Sequence, residues 1–194
     1  MNCAGVILAA GASSRMGQPK AFLLYRGETF LDRLIGLFGE RCSEVVVVVR
    51  SELDVSSLKR SARFVTNEDP ERGMLSSLQC GLAAVSPTAE SVLFCPVDYA
   101  PVEADSIRRI VDGFNGVLTL PTYKGKRGHP CMISLELAKE LSELPGTASA
   151  KQVIHGHLGV ASFVPVQDNR TVEDIDDPAA YSKLLAEEAI HVKG

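Results

Sequence analysis

The segment from Gly11 to Lys20 places two glycines, two serines, an arginine and a lysine directly after an apolar run. Glycines let a backbone turn and approach a ligand closely, and exposed N–H groups in such a loop suit phosphate oxygens. Arg15 offers a planar fork for phosphate, and Lys20 offers a compact positive charge. The spacing fits neither a P-loop nor a G-x-G-x-x-G dinucleotide loop. It predicts an anion site, and the alternative is a glycine- and serine-rich turn that carries two surface cations.

Acidic residues follow two later apolar runs. Asp98 comes directly after one run, and Asp174 and Asp176 come some residues after another. In an extended chain, Asp174 and Asp176 project to one face and Ile175 to the other. After a strand, the carboxylate of Asp98 is a hard oxygen ligand of the kind that Mg²⁺ takes when it bridges nucleotide phosphates. The alternatives are a capping role for Asp98 at the next helix and a solvated acidic loop at 174–176.

Two groups of basic and histidine residues point to other chemistry. His129 follows three cations at positions 124–127, and this cluster either suits an anionic partner or forms a solvated hairpin tip. His155 and His157 supply only two ligands, so we expect a surface loop there rather than a metal site. The sequence has no G-x-S-x-G nucleophile motif, and none of its cysteines lies in a recognisable catalytic context.

Composition and charge limit the possible partners and compartments. The chain of 194 residues is 45% hydrophobic and 23% charged, with a net charge of −4, which is ordinary for a globular protein. An acidic chain is not expected to bind nucleic acid through phosphate contacts. The five cysteines are too scattered for a C-x-x-C motif and are typical of reduced thiols. No apolar run approaches membrane length, so we expect a cytoplasmic protein of one domain, 1–194, without a membrane partner.

Short apolar runs alternate with amphipathic stretches over most of the chain. The run at 45–49 is β-branched throughout, as in a strand that is covered on both faces. Thr29 is placed to cap one helix, and Asp177 and Pro178 are placed to begin the last one. The alternation predicts an α/β fold of three layers, a mainly parallel sheet with helices on both faces. The predicted strands are 5–10, 44–49, 63–66, 91–97, 117–121, 131–134 and 161–166, and the predicted helices are 30–38, 74–85, 102–114, 135–144 and one from 177 onwards.

The first loop resembles a known signature. Leu8-Ala9-Ala10-Gly11, Ser13, Arg15-Met16-Gly17 and Lys20 are similar to L-A-A-G-x-S-x-R-M-G-x-x-K of the NTP-transferase family, and within it to the molybdenum cofactor nucleotidyltransferases, above all their cytidylyltransferase branch. The resemblance implies a Rossmann-like fold of the nucleotide-diphospho-sugar transferase type. It also implies that the loop wraps a triphosphate whose charge Arg15 and Lys20 neutralise. The nucleotide-binding residues that it implies here are Leu8, Ala9, Ala10, Gly11, Ser13, Arg15, Gly17 and Lys20.

Two acidic segments extend this resemblance. The family places D-x-P where this chain has Asp98-Tyr99-Ala100-Pro101, which is one residue longer before the proline. The segment from Asp174 to Pro178 resembles the family's D-I-D-T-P-E-D, with an aspartate in place of the threonine. The resemblance implies that Asp98 and Asp176 are the ligands of Mg²⁺, with Asp176 favoured over Asp174 as the direct ligand.

Two further segments match the family near the nucleoside and the acceptor. Gly73 and Ser77 fall in the family's G-M-x-x-S-L, which implies that the serine lies near the nucleobase or ribose; the alternative is a small residue that eases helix packing. Asn67, upstream, is expected to serve a turn rather than a ligand. The stretch 127–130 resembles R-G-H-P, which is most typical of the cytidylyltransferase branch. It implies that Arg127 and His129 face the acceptor.

The resemblance as a whole implies an enzyme that transfers a nucleoside monophosphate from CTP to a phosphorylated acceptor, molybdopterin, and releases pyrophosphate. It implies that Arg15, Lys20 and Asp98 are catalytic and that Mg²⁺ is the cofactor. A molybdoenzyme or its chaperone is a further expected partner. The alternatives are use of GTP, transfer to a sugar phosphate, and a nucleotide-binding protein without catalysis on the same fold.

Overall fold

Strands and helices alternate along residues 2–191, which are described by a computed structural model. The strands are β1 (Cys3–Leu8), β2 (Leu24–Tyr25), β3 (Glu28–Thr29), β4 (Glu44–Val49), β5 (Arg63–Thr66), β6 (Ser91–Pro96), β7 (Leu118–Tyr123), β8 (Lys126–Arg127), β9 (Cys131–Ser134) and β10 (Ser162–Pro165). The helices are α1 (Phe30–Gly39), α2 (Met74–Ala84), α3 (Ala104–Asp112), α4 (Leu135–Ser142), α5 (Ala150–Gly156) and α6 (Pro178–His191). Within this described part of the chain, no helix is both long and apolar enough to cross a membrane.

The main sheet orders its strands β10-β7-β9-β6-β1-β4-β5, and β8 pairs with β7. β1 pairs in parallel with β4 and β6, β4 with β5, and β7 with β10. β9 is antiparallel to both β6 and β7. Two antiparallel pairings in succession restore the direction, so β7 and β10 run the same way as β1, β4, β5 and β6. The carboxyl ends of these six strands therefore lie at one edge of the sheet, which is where open α/β sheets bind ligands.

Helices cover both faces of this sheet and form a separate core on each. On one face, Phe38 of α1, Ile110 of α3 and Leu184 of α6 pack into the first core. On the other face, Leu78 of α2 and Leu137 of α4 pack into the second. The valines of β4 alternate between the two cores, which explains why that run is β-branched throughout. The predicted three-layer α/β fold is confirmed, and the antiparallel β9 is the exception to the parallel order.

Both predicted helix caps are present. Thr29 Oγ1 accepts a hydrogen bond from Asp32 N at 3.0 Å at the start of α1. Asp177 Oδ1 accepts one from Ala180 N at 2.8 Å at the start of α6. Each cap satisfies a backbone N–H that has no partner within its own helix. Strand β1 ends at Leu8, two residues earlier than predicted, because the chain leaves the sheet there to form the first loop.

The predictions missed the short elements: the β2–β3 hairpin, β8 and α5. Helix α5 buries only Ala150, so it carries no apolar stripe that periodicity could reveal. The expectation of a surface loop at His155 and His157 is wrong in its geometry, because the two residues lie at the carboxyl end of α5. His155 is exposed, and His157 Nε2 is 3.3 Å from Oε2 of Glu140.

Gly81 determines how closely α2 approaches the sheet. A Cβ built on Gly81 would lie 2.5 Å from Val6 Cγ1 and 2.9 Å from Val48 Cγ2. Gly81→Ala is therefore expected to lower the free energy of unfolding by about 1–3 kcal/mol through overpacking, as measured by urea denaturation. Gly39→Ala, at the end of α1, is the matched control, because a Cβ there meets nothing within 4 Å. Equal stability of the two variants would contradict this close approach.

Candidate active site

A cleft of about 580 Å³ opens at the carboxyl edge of the sheet, between the loop after β1, the start of α2 and the end of β6. Most of the site residues that were predicted from the sequence line this cleft. The predicted site residues that line it are Leu8, Ala9, Ala10, Gly11, Ser13, Lys20, Gly73, Ser77 and Asp98. Arg15 and Gly17 belong to the same loop but are not among the lining residues.

The loop after β1 is held in shape by its own backbone and one hydroxyl. Ser13 O accepts hydrogen bonds from the N–H groups of Met16 and Gly17 at 3.0 and 3.2 Å, and Ser13 Oγ accepts one from Lys20 N at 3.1 Å. Ser13 and Gly17 both have positive φ, 53° and 73°. Met16 is buried in the core and anchors the middle of the loop. At Gly11 a Cβ would meet nothing within 4 Å, so the backbone there faces open space.

Four predicted residues from three distant segments meet in one ion cluster. Lys20 Nζ is 3.3 Å from Asp98 Oδ2 and donates a short hydrogen bond to Asp176 Oδ1. Arg15 Nη2 is 2.7 Å from Asp176 Oδ2. The side chain of Lys20 is 11% exposed, whereas that of Arg15 is 71% exposed. The cluster thus has a buried lysine at its centre and a solvated arginine at its rim.

The chain that carries the second acidic segment is tied directly to Asp98. The N–H of Ile175 donates to Asp98 O at 3.0 Å, and the Ile175 side chain is buried in the core. Asp174 and Asp176 therefore project to the opposite side, as predicted for an extended segment. Asp98 lies in a short 3₁₀ turn at 97–99, while α3 has Glu103 at its N-cap position. The alternatives of a helix-capping Asp98 and of a merely solvated loop at 174–176 are both wrong.

Burial opposes the ionisation of Asp98. Desolvation raises the pKa of its carboxyl, Lys20 lowers it, and the carboxylates of Asp174 and Asp176 raise it again, so that the net shift is upward. Asp176 is the opposite case, because the hydrogen bond from Lys20 holds the pKa of its carboxyl below the usual range, and Arg15 adds to this effect. Lys20 therefore does not fully offset the desolvation of the Asp98 carboxylate.

Three carboxylates are placed to share one divalent ion. Oxygens of Asp98, Asp174 and Asp176 lie within 4.8 Å of one another. Asp98 Oδ1 is buried and accepts no hydrogen bond from the residues that the structure describes. A set of hard oxygen donors suits Mg²⁺ or Mn²⁺, so the residues present fit such an ion. Asp174 and Asp176 are both within reach, and the preference for Asp176 stays a prediction.

The start of α2 also lines the cleft. Gly73 has a φ of 88°, a conformation that favours glycine, and it directs the chain into the helix. Asn67 Nδ2 donates to Ser76 Oγ and Ser77 Oγ, both at 3.0 Å, while its Oδ1 accepts from Asp69 N. Asn67 is thus a turn residue, as expected. It holds the serines of α2 in place, and Ser77 lines the cleft.

Sequence reasoning missed another part of the cleft wall. Arg50, Glu52, Leu53, Pro70 and Met74 also line the cleft. Arg50 follows β4 directly, and its Nε lies 2.9 Å from Glu52 Oε2. The signal that could have found Arg50, Glu52 and Leu53 is topological: β4 is parallel to β1 and adjacent to it, so the chain after β4 must emerge beside the first loop.

The two residues predicted to face the acceptor have different environments. Arg127 is exposed on β8. His129 is half-buried, with its ring centroid 4.8 Å from that of Tyr99 and 5.7 Å from that of Phe94, and burial lowers the pKa of its imidazole to about 4. Neither residue lines the cleft. The ring of His129 packs against that of Tyr99, which directly follows the cleft residue Asp98 in the sequence.

Comparisons of the sequence identify its family. The family described as the MobA-like NTP transferase domain matches residues 5–161. The nicotine blue oxidoreductase of Paenarthrobacter nicotinovorans is 30% identical, over 93% of this chain and 95% of that protein. The molybdenum cofactor cytidylyltransferase of Escherichia coli is 28% identical, over 89% of this chain and 90% of that protein.

Solved structures show the same fold. The crystal structure of Rv0371c from Mycobacterium tuberculosis aligns with a TM-score of 0.78 at 24% identity and covers 96% of this chain and 99% of that one. A second structure of Rv0371c, with a TM-score of 0.75, is a complex with manganese. The family match spans most of the chain and includes the first loop, the start of α2 and Asp98. This chain therefore belongs to the family of MobA-like NTP transferase domains and is a nucleotidyltransferase of that type.

Proposed function

We propose that this protein transfers CMP from CTP to the phosphate of molybdopterin and releases pyrophosphate, with Mg²⁺ as its cofactor. The main support is the contact of Lys20, which lines the cleft, with both Asp98 and Asp176, although Asp176 itself is not a lining residue. Cations and carboxylates at one point suit a polyphosphate together with its divalent ion. The proposed setting is the cytoplasm, and the proposed recipient of the product is a molybdoenzyme or its chaperone.

Each proposed role follows from where the residue lies. The backbone at Gly11, which faces open space, takes up the phosphates. Arg15 and Lys20 stabilise the charge that develops on the α-phosphate and the departing pyrophosphate. Asp98 and Asp176 hold the divalent ion, which supplies further neutralisation of phosphate charge when bound. The nucleoside lies beside Ser77, which lines the cleft at the start of α2.

The proposed reaction needs no general base. A phosphate on the acceptor is already an anionic nucleophile at neutral pH, so catalysis consists of in-line positioning and relief of charge. The cleft supplies these two things through a shaped loop and an ion cluster. The neutral imidazole of His129 cannot attract the acceptor phosphate by charge, which leaves that task to Arg127 and the neighbouring lysines of the β7–β8 hairpin.

Two observations support CTP and a molybdopterin acceptor. The segment 127–130 resembles R-G-H-P of the cytidylyltransferase branch. The Escherichia coli relative, similar over most of both chains, is named a molybdenum cofactor cytidylyltransferase. The relative named an oxidoreductase makes electron transfer the competing class of reaction.

A pyrophosphate-release assay with each of the four nucleoside triphosphates, Mg²⁺ and molybdopterin tests the proposal. We expect release with CTP that depends on the acceptor. Release with GTP instead, or with a sugar phosphate as acceptor, would correct the substrates. Nucleotide binding without release of pyrophosphate would contradict nucleotidyl transfer by this chain.

Substitution of Lys20 or Asp98 tests whether the ion cluster contributes to catalysis. Lys20→Ala and Asp98→Ala are each expected to lower the rate of pyrophosphate release by about 10²–10³, the usual cost of losing a charge-stabilising contact in such a site. Lys139→Ala is the control, since Lys139 is 77% exposed on α4. Near wild-type turnover in either site variant would remove that residue from the mechanism.

Gly11 tests whether the phosphates approach the loop backbone. Gly11→Ala is expected to fold normally, because a Cβ there meets no protein atom within 4 Å. The methyl group would instead fill the space of the ligand, and we expect CTP affinity to fall by about tenfold or more, a loss of roughly 1.4 kcal/mol or more, measured by calorimetry. Gly39→Ala is again the control. Unchanged CTP binding by Gly11→Ala would place the phosphates elsewhere.

The low pKa of His129 predicts a pH dependence of stability. The folded protein favours the neutral imidazole of His129. The contribution of this residue to the free energy of unfolding is therefore complete above about pH 6.5, the pKa of histidine in the unfolded chain. It is lost as the pH falls towards about 4, the pKa in the folded protein. The free energy of unfolding of the wild type is expected to fall over this range more steeply than that of His129→Gln. His155→Gln, which removes an exposed histidine, is expected to follow the wild type. If the free energy of unfolding fell equally with pH in all three proteins, the low pKa of His129 would be refuted.

A further inference from the structure

The ammonium of Lys20 contacts two of the three carboxylates that could hold a divalent cation. Its Nζ contacts Asp98 Oδ2 and Asp176 Oδ1, and these two carboxylates belong to the group whose oxygens lie within 4.8 Å of one another. The Lys20 side chain is only 11% exposed. A buried position between two carboxylates is the position of a ligated cation rather than that of a lysine waiting in solvent for phosphate.

The lysine and a divalent ion compete for the same two carboxylates, although Asp98 Oδ1 accepts no hydrogen bond from the described residues. Mg²⁺ requires ligand oxygens at about 2.1 Å, and the carboxylate oxygens that face Lys20 are already used as hydrogen-bond acceptors. Two cations on those oxygens would repel each other strongly at such short range in a partly buried site. The ammonium of Lys20 therefore opposes binding of the divalent ion for as long as it stays on these carboxylates.

The backbone allows this movement to be confined to one side chain. Lys20 N is fixed by Ser13 Oγ at 3.1 Å, and Ala21, the next residue, is buried. The four-carbon stem of lysine, in contrast, is flexible, and the side chain lines the cleft. Polyphosphate oxygens in that cleft offer the ammonium new partners and so make its departure from the carboxylates favourable.

We propose that Lys20 acts as a placeholder for the divalent ion, which is admitted to Asp98 and Asp176 only when a polyphosphate draws the lysine away. The inference rests on the proposed function, whose metal ligands it uses. It makes the binding of nucleotide and of metal mutually dependent, since each removes an obstacle to the other. The free enzyme is then protected from loading metal without substrate.

The test is the binding of Mn²⁺ to nucleotide-free protein, measured by the electron paramagnetic resonance signal of the free ion. Wild type is expected to bind Mn²⁺ weakly at this site, and Lys20→Met about tenfold or more tightly, the scale of one charge-assisted hydrogen bond. The double variant Lys20→Met/Asp98→Asn is expected to lose this gain. Lys139→Met, which removes the partner of a surface glutamate, is expected to match the wild type.

The outcomes separate this inference from the proposed function. Equal Mn²⁺ affinity of wild type and Lys20→Met overturns the placeholder role, and the proposed function then survives if CTP still induces Mn²⁺ binding by the wild type. Failure of the wild type to bind Mn²⁺ even with CTP overturns both. Should Lys20→Met not fold, Lys20→Gln replaces it.

Nuclear magnetic resonance of the wild type tests the placeholder role of Lys20 without any variant. The ¹⁵N signal of Lys20 Nζ is expected to stay unchanged on titration with Mg²⁺ alone and to shift when a non-hydrolysable CTP analogue is added. A shift with Mg²⁺ alone contradicts the inference.

Discussion

The contact between the ammonium of Lys20 and the carboxylates of Asp98 and Asp176 is the interaction on which the site depends. It joins the first loop, the end of β6 and the segment before α6. Each partner is partly buried, so none of the three charges is fully solvated by water, and each depends on an opposite charge close by. The net upward shift in the pKa of Asp98 shows that the lysine does not fully offset the burial of that carboxylate.

The sheet is what brings these segments to one point. The strands β1, β4 and β6 are adjacent and parallel, so the loops that follow them open at one edge. The backbone bond from Ile175 N to Asp98 O adds the last segment, and burial of the Ile175 side chain orients the carboxylates on either side of it. Helix α2 can lie close to the sheet because Gly81 has no side chain, and this approach brings Ser77 to the cleft.

The sequence predicted the features that depend on local pattern. The β-branched run of β4, the caps at Thr29 and Asp177, and the position of Asp98 after a strand all follow from rules about neighbouring residues. Features that depend on distant pairing were not predictable in this way. In the sequence, the antiparallel strand β9 is an apolar run like those of the parallel strands. Arg50 becomes part of the cleft wall only through the order of the strands in the sheet. The partial burial of His129 follows from two aromatic rings that come from other segments.

The most direct measurement is a crystal structure of the protein with Mn²⁺ and a non-hydrolysable CTP analogue, with the ion located by its anomalous scattering. We expect one manganese ion within roughly 2.0–2.3 Å of carboxylate oxygens from Asp98 and Asp176, the triphosphate against the backbone at Gly11, and Lys20 Nζ on a phosphate oxygen. Manganese bound away from these two carboxylates, or a triphosphate that leaves Lys20 paired with them, would contradict it.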